Sequence, residues 1–387
     1  MLLETLRADG LLSFAPGSSE LRLRPLNVLI GPNGSGKSNV IEAIELLRAT
    51  PTGLASAIRD GGGVREWLWK GEGRARATLE ARLARSGQSS LRYRLRFAAA
   101  GARTEVIDEA IEEADNDTPD AKDLIFYYRF QDGHPALRVR AETRLRSLPR
   151  DSLAADESVL SQRKDPETYP ELSWCATQFS RIQTFREWSF GRNTALRQPQ
   201  SADLPTDILL PDAKNLGLIL NQLEHSDAGP ELNAALHRFL PRFQRVSTLV
   251  QGGTVQFYLH EEGLNSPVPS TRLSDGTLRF LAMGAVLLMP TPPPLICLEE
   301  PELGLHPDAL SLVAELLVAA SARAQVIVTT HSDALVSALT DHVESVLVCE
   351  HRGGTELRTL DAERLKHWLD RYRLGDLWRM GELGGNP

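Results

Sequence analysis

This sequence predicts an α/β nucleotide-binding fold with an antiparallel β segment inserted after the first helix, on three observations. A glycine-rich stretch, GPNGSGKS, sits between an apolar run, Leu26 to Ile30, and a stretch with helical spacing at Val40, Ile41, Ala43, Ile44, Leu46 and Leu47. Apolar residues then alternate with period two in short runs between Leu79 and Val139. Late in the chain two buried-strand patterns end in chemistry: Pro294 to Leu298 runs into Glu299 and Glu300, and Gln325 to Thr330 runs into His331.

The glycine-rich stretch reads as a phosphate-binding loop. Its strand, loop and helix context is the one in which successive backbone N–H groups and a positive helix end surround a β-phosphate. Gly31, Gly34 and Gly36 let the backbone turn tightly, with Pro32, Asn33 and Ser35 between them and Asn39 following. Lys37 is then the residue that reaches the β- and γ-phosphates, and the Ser38 hydroxyl is a ligand for Mg²⁺. ATP and Mg²⁺ are the expected ligands.

Composition bounds the rest. A chain of 387 residues, 42% hydrophobic, buries a large core, and its net charge of −8 argues against a surface coated in positive charge. Local arginine clusters stand out at Arg82, Arg85, Arg92, Arg94 and Arg96 and at Arg138, Arg140, Arg144, Arg146 and Arg150, with acids dominating Asp108 to Asp120. Such clusters are either solvated faces or a basic surface for nucleic acid. Three scattered cysteines, Cys175, Cys297 and Cys349, form neither a disulfide framework nor a zinc site. No apolar run is long enough for a membrane span, and Glu4 interrupts any signal-like start, so a cytoplasmic protein is expected.

In chain order, Leu2 to Phe14 and Leu21 to Arg24 read as an antiparallel strand pair ahead of the loop. The inserted segment predicts strands around Leu79–Leu83, Leu91–Phe97, Phe126–Phe130 and Leu137–Val139. Leu148 to Pro170 reads as a loop with one short helix, followed by a helix from Glu171 and a strand ending at Phe185. Arg186 to Pro205, rich in Arg, Gln and Pro, is a functional loop or a mobile one. Helices near Ala213–Leu223 and Glu231–Leu240 precede a hairpin that turns through Gly252 and Gly253. Four regions are expected: 1–60 with the phosphate loop, 61–145 as the β insert, 146–270 mixed, and 271–387 completing the nucleotide lobe.

GPNGSGKSN, LSDGT (Leu273 to Thr277), CLEEPELGLHP and VTTHS, in that order, resemble the ATP-binding-cassette ATPases. Within them the chain is similar to the branch of AAA-family ATPases that holds the structural-maintenance-of-chromosomes (SMC), RecF and OLD proteins. That resemblance implies a P-loop NTPase fold with a helical signature subdomain, and a homodimer with ATP sandwiched between two heads. It assigns Ser274, Asp275 and Gly276 to a signature acting in trans, where Ser274 caps a helix and faces a partner's γ-phosphate. Asp275 departs from the commoner glycine and puts a negative charge beside that phosphate. Glu299 stands at the magnesium-shell position, where Asp is usual; Glu300 is the residue that polarises water, and His331 the switch histidine. Gln183 is the candidate glutamine sensing magnesium and γ-phosphate, with Gln178 as the alternative. His306 resembles a loop that crosses the dimer interface, and a turn-stabilising role fits it equally.

The function implied is an ATPase whose dimer closes on ATP and reopens on hydrolysis, acting on DNA in repair or antiviral defence. Two alternatives share the same site: a regulatory scaffold that recruits an effector nuclease, and the motor of a transporter. No acidic nuclease motif follows His331.

Overall fold

The computed structural model describes residues 1–73, 75–114, 125–131, 134–139, 145–147, 149, 152–186 and 188–385. Arg140, Arg144 and Arg150, the side chain of Arg146, and the acids from 115 to Asp120 lie outside that description. The chain forms two units, Met1–Ile182 with Leu347–Thr359, and Gln183–Val346 with Leu360–Pro387. The division at Ile182 falls inside the expected 146–270 region, and none lies at residue 60.

The first unit holds β1 (Leu3–Asp9), β2 (Leu21–Arg22), β3 (Leu26–Ile30), β4 (Arg76–Arg85), β5 (Gln88–Ala100), β6 (Arg103–Glu113), β7 (Phe126–Gln131), β8 (His134–Arg138) and β9 (Leu145–Ser147). Its helices are α1 (Lys37–Ala49), α2 (Leu54–Asp60), α3 (Val64–Trp67), α4 (Val159–Gln162) and α5 (Pro170–Ser180), and β17 (Val346–His351) and β18 (Thr355–Thr359) return to it late in the chain. The expected insert is not a separate body. Its first strand, β4, pairs antiparallel with β1, giving one sheet in the order β2-β1-β4-β5-β6-β7-β8-β9. That pairing covers the edge of β1 that a free hairpin would expose.

Strand β6 has no counterpart in the predicted set, because acids occupy positions where alternation calls for apolar residues. Glu109 and Glu112 are both buried on it. Glu112 sits among Arg92, Arg94 and Arg129 at 2.8, 3.6 and 3.4 Å. Glu109 accepts from Tyr93 Oη and the Val159 N–H, each at 2.8 Å, and from the Ser158 hydroxyl. Burial pushes the Glu109 carboxyl up to about 7, against the three donors that pull it down. On the same unit, β3, β17 and β18 lie side by side, and β3 is buried throughout, as its apolar run requires.

The second unit holds β10 (Gln183–Phe185), β11 (Gln200–Ser201), β12 (Phe243–Gln251), β13 (Thr254–Glu261), β14 (Val268–Pro269), β15 (Leu295–Glu299) and β16 (Gln325–Thr329). Its helices are α6 (Leu216–Glu224), α7 (Gly229–Phe239), α8 (Asp275–Leu287), α9 (Leu310–Ser321), α10 (Asp333–Ala338), α11 (Ala362–Leu369) and α12 (Leu374–Arg379). β10, β15 and β16 run parallel, with Phe185 level with Leu298 and Glu299 level with Thr329. Parallel strands buried on both faces read as continuous apolar runs, as β15 and β16 do. The predicted hairpin is present as β12 and β13, turning through Gly252 and Gly253. Among the described residues, no helix is long and apolar enough to cross a membrane.

Candidate functional site

In the first unit, the loop from Gly31 to Gly36 joins β3 to α1, whose first residue is Lys37. The Lys37 ammonium is drawn back over the loop, donating to the Gly31 and Pro32 carbonyls at 2.8 and 2.9 Å. The first turn of α1 carries no acid, so the positive end of the helix is uncompensated by its own side chains. Gly36 has a left-handed φ of 101°, and a Cβ there would lie 1.9 Å from the Thr355 hydroxyl. Its glycine is therefore demanded by both torsion and packing.

The back of the loop is braced by polar contacts from β17, β18 and the turn after β1. Thr355 Oγ1 donates to the Ser35 carbonyl at 2.9 Å and is 2.6 Å from Ser13 Oγ, which in turn takes a bond from Asn39 Nδ2 at 2.6 Å. Asn39 thus serves the loop through Ser13. Sequence reasoning had no means to find Ser13 and Thr355, which stand 342 residues apart.

In the second unit, Ser274 is the N-cap of α8, as expected, accepting the Thr277 N–H at 3.0 Å. Asp275 does not stand alone as the sequence suggests. It pairs with Arg197, a buried residue that also donates to the carbonyls of Leu273 at 2.6 Å and Phe190 at 2.8 Å. The anion next to the signature is therefore matched within its own chain, which removes the charge penalty read from sequence. Gly276 packs so closely on the Glu299-to-Pro307 segment that a Cβ would lie 2.8 Å from the Gly304 carbonyl. His306 caps the short turn at Pro307, its Nδ1 accepting the Asp308 N–H at 3.3 Å, and is exposed. Ser274, Gly276, Thr277, Gly304 and His306 line an open cleft of about 580 Å³.

Glu299 and Glu300 end β15, beside β16. Glu300 adopts φ 45°, a left-handed conformation uncommon for a residue with a side chain and a source of local strain. Its N–H still bonds the Thr329 carbonyl at 3.0 Å, so the turn begins only after the ladder is complete. Glu300 Oε1 lies 3.7 Å from His331 Nε2, beyond a direct hydrogen bond and within ion-pair reach when the imidazole is protonated. Glu302 holds His331 in place by accepting its N–H at 2.8 Å and the Thr330 hydroxyl at 2.7 Å.

The structure does not bring Gln183 to these carboxylates. It is buried at the start of β10, level with Ile296, three residues or about 10 Å short of Glu299. The residue that reaches Glu299 from the end of β10 is Arg186, whose Nε bonds Glu299 Oε2 at 3.0 Å. The alternative, Gln178, lies within α5. Among the described residues there is no cluster of three or more His, Cys, Asp or Glu that would hold a metal ion unaided.

The arginine-rich loop is ordered through its described residues. Trp188 packs on Phe185 and Phe190 with ring centroids 5.2 and 5.8 Å apart. Arg279, on α8, sits over the Phe190 ring at 5.0 Å. The β5 arginines are likewise spoken for: Arg92 by Glu112, and Arg94 and Arg96 by Asp108 at 3.3 and 3.4 Å.

Comparison with known proteins bears on the fold and the family. Solved structures with the same fold include an SMC head bound to the C-winged helix domain of ScpA, at TM-score 0.60 and 13% identity, covering 94% of this chain and 99% of that one. Another is the SMC head with an extended coiled coil bound to the C-terminal domain of ScpA from Pyrococcus furiosus, at TM-score 0.59 and 12% identity over 96% and 99%. The Old nuclease of Escherichia phage P2 is 28% identical over 148 residues, which is 35% of this chain and only 25% of the nuclease. The family model described as "AAA domain, putative AbiEii toxin, Type IV TA system" matches residues 26–337. That span runs from β3 through the phosphate loop, Ser274 and both carboxylates to His331, and the chain belongs to this family of AAA-domain P-loop NTPases.

Proposed function

We propose that this protein binds ATP with Mg²⁺ and hydrolyses it in a cytoplasmic homodimer, each nucleotide held by the phosphate loop of one subunit and Ser274 of the other. The observation that carries the reading is the Glu300–His331 pair at 3.7 Å, which sets a carboxylate beside an imidazole at the ends of neighbouring strands, held by a strained backbone and by Glu302. In that role Glu300 accepts the water proton while His331 orients the water. Ser38 would hold the magnesium, which would supply charge neutralisation for the phosphates. The base has a candidate seat in a cavity of about 360 Å³ behind the loop, lined by Phe14, Pro16, Val40, Gly354 and Thr355.

The work of the dimer we take to be on DNA, in repair or defence, on the strength of the likeness to the SMC heads and the phage nuclease. Since Arg92, Arg94 and Arg96 are matched by acids, the DNA contact belongs to another surface. Turnover per protomer measured against protein concentration tests the dimer. It should rise steeply and reach a plateau, and a rate per protomer independent of concentration from nanomolar upward counts against a site shared between subunits.

A further inference from the structure

Two arginines connect the start of the signature helix to the backbone of Glu300 within one chain. Arg279, one turn into α8, points its guanidinium at the Glu300 carbonyl at 3.5 Å and the Trp188 carbonyl at 3.3 Å while resting on the Phe190 ring. Arg197 then ties Phe190 to the signature: its Nε bonds the Phe190 carbonyl, and its Nη atoms reach Leu273, Ser270 and Asp275. The Ser270 hydroxyl returns a bond to the Arg197 carbonyl at 2.9 Å. The segment 188–197 is thus a strap with one end on the signature and the other at the catalytic turn.

Each link is costly to leave unmade. Arg197 is 4% exposed, so its cation needs every one of its acceptors. Arg279 is half-buried, and burial holds its guanidinium below its ordinary pKa, so it too depends on the carbonyls and ring around it. At the far end, Glu300 already occupies a strained conformation, so a change in the hold on its carbonyl shifts the balance of torsions about the Cα from which the carboxylate side chain branches. The two Arg279 contacts are long, which leaves them room to tighten when the signature is engaged.

We infer that Arg279, Arg197 and the 188–197 strap are positioning elements that pass engagement of Ser274 to Glu300 of the same subunit. Occupation of one nucleotide site then sets the catalytic turn of the other, and the two sites of a dimer fire together. This rests on the proposed ATP-bound dimer. The contacts of Arg279 are to the Glu300 and Trp188 carbonyls and the Phe190 ring, so the effect expected is on turnover and not on binding.

The experiment compares wild type, Arg279→Ala and Arg279→Lys for turnover at plateau protein concentration and for affinity toward a fluorescent ATP analogue. It also compares Glu300→Gln with Glu300→Gln/Arg279→Ala for ATP-dependent dimerisation. The expected result is a loss of about tenfold in plateau turnover for Arg279→Ala and partial recovery with Lys, while analogue affinity and dimerisation stay within about twofold. Unchanged turnover overturns the inference. So does loss of dimerisation in parallel with turnover, which would make Arg279 a prop for the signature alone. A Glu300→Gln parent that stays monomeric with ATP overturns the dimer reading, and this inference with it.

Discussion

Two groups of arginines in this molecule do opposite things with the same side chain. On β5, Arg92, Arg94 and Arg96 lie across from acids of the neighbouring strand, and their ion pairs stitch β5 to β6. In the second unit, Arg186, Arg197 and Arg279 reach along loops to a carboxylate, to an anion at a helix start, and to carbonyls of a strained turn. The first group stabilises a sheet. The second arranges a site. In sequence the first group is a run of positive charge that reads as a solvated face or a nucleic-acid surface, while the second is scattered, and only their partners show what each does.

The largest effect expected on the sheet side comes from the acid at its centre. Glu112 has a side chain 2% exposed among three part-exposed arginines, so Glu112→Gln should cost about 1 kcal/mol in denaturant unfolding, the exposure of the arginines screening much of the lost attraction. The folded fraction should hydrolyse ATP at the wild-type rate. A matching loss of turnover in the folded protein would break the division between the two groups.

A smaller effect is expected at Glu109. Its folded pKa of about 7 stands above its ordinary 4.5, so the folded state holds a proton that the unfolded chain releases between those values. Stability is then greatest below pH 4.5 as far as this group is concerned, falls as pH rises through the window, and levels off above 7. Replacing it by Gln, which cannot ionise, should flatten that part of the unfolding profile. An unchanged pH slope between 5 and 7 in Glu109→Gln would show that the buried carboxyl is not what titrates.

What sequence could show follows from how local each interaction is. GPNGSGKS was legible in full because its chemistry lies in contiguous backbone, and the Ser274 cap because its partner, Thr277, is three residues away. The brace behind the loop was not, since Ser13 and Thr355 meet only when β18 returns beside β17. Strand β6 was hidden by Glu109 and Glu112, whose burial makes sense only once Tyr93, Arg92 and Ser158 surround them. Gln183 was chosen by residue type at a strand, yet the register of β10 puts Arg186 at the level of Glu299. Asp275 looked like an obstacle to phosphate because its partner Arg197 lies 78 residues upstream, in a stretch with no periodicity to mark it.

The claim on which the account depends most is that neither subunit holds a complete site. Light scattering of Glu300→Gln with saturating ATP and Mg²⁺ tests it directly, since loss of the general base should slow turnover by about a thousandfold and leave the closed state populated. The account predicts the mass of a dimer with ATP and of a monomer without it, and a monomer again when Ser274→Arg is added to block the signature. A monomer throughout, or a dimer indifferent to ATP and to Ser274, would contradict it.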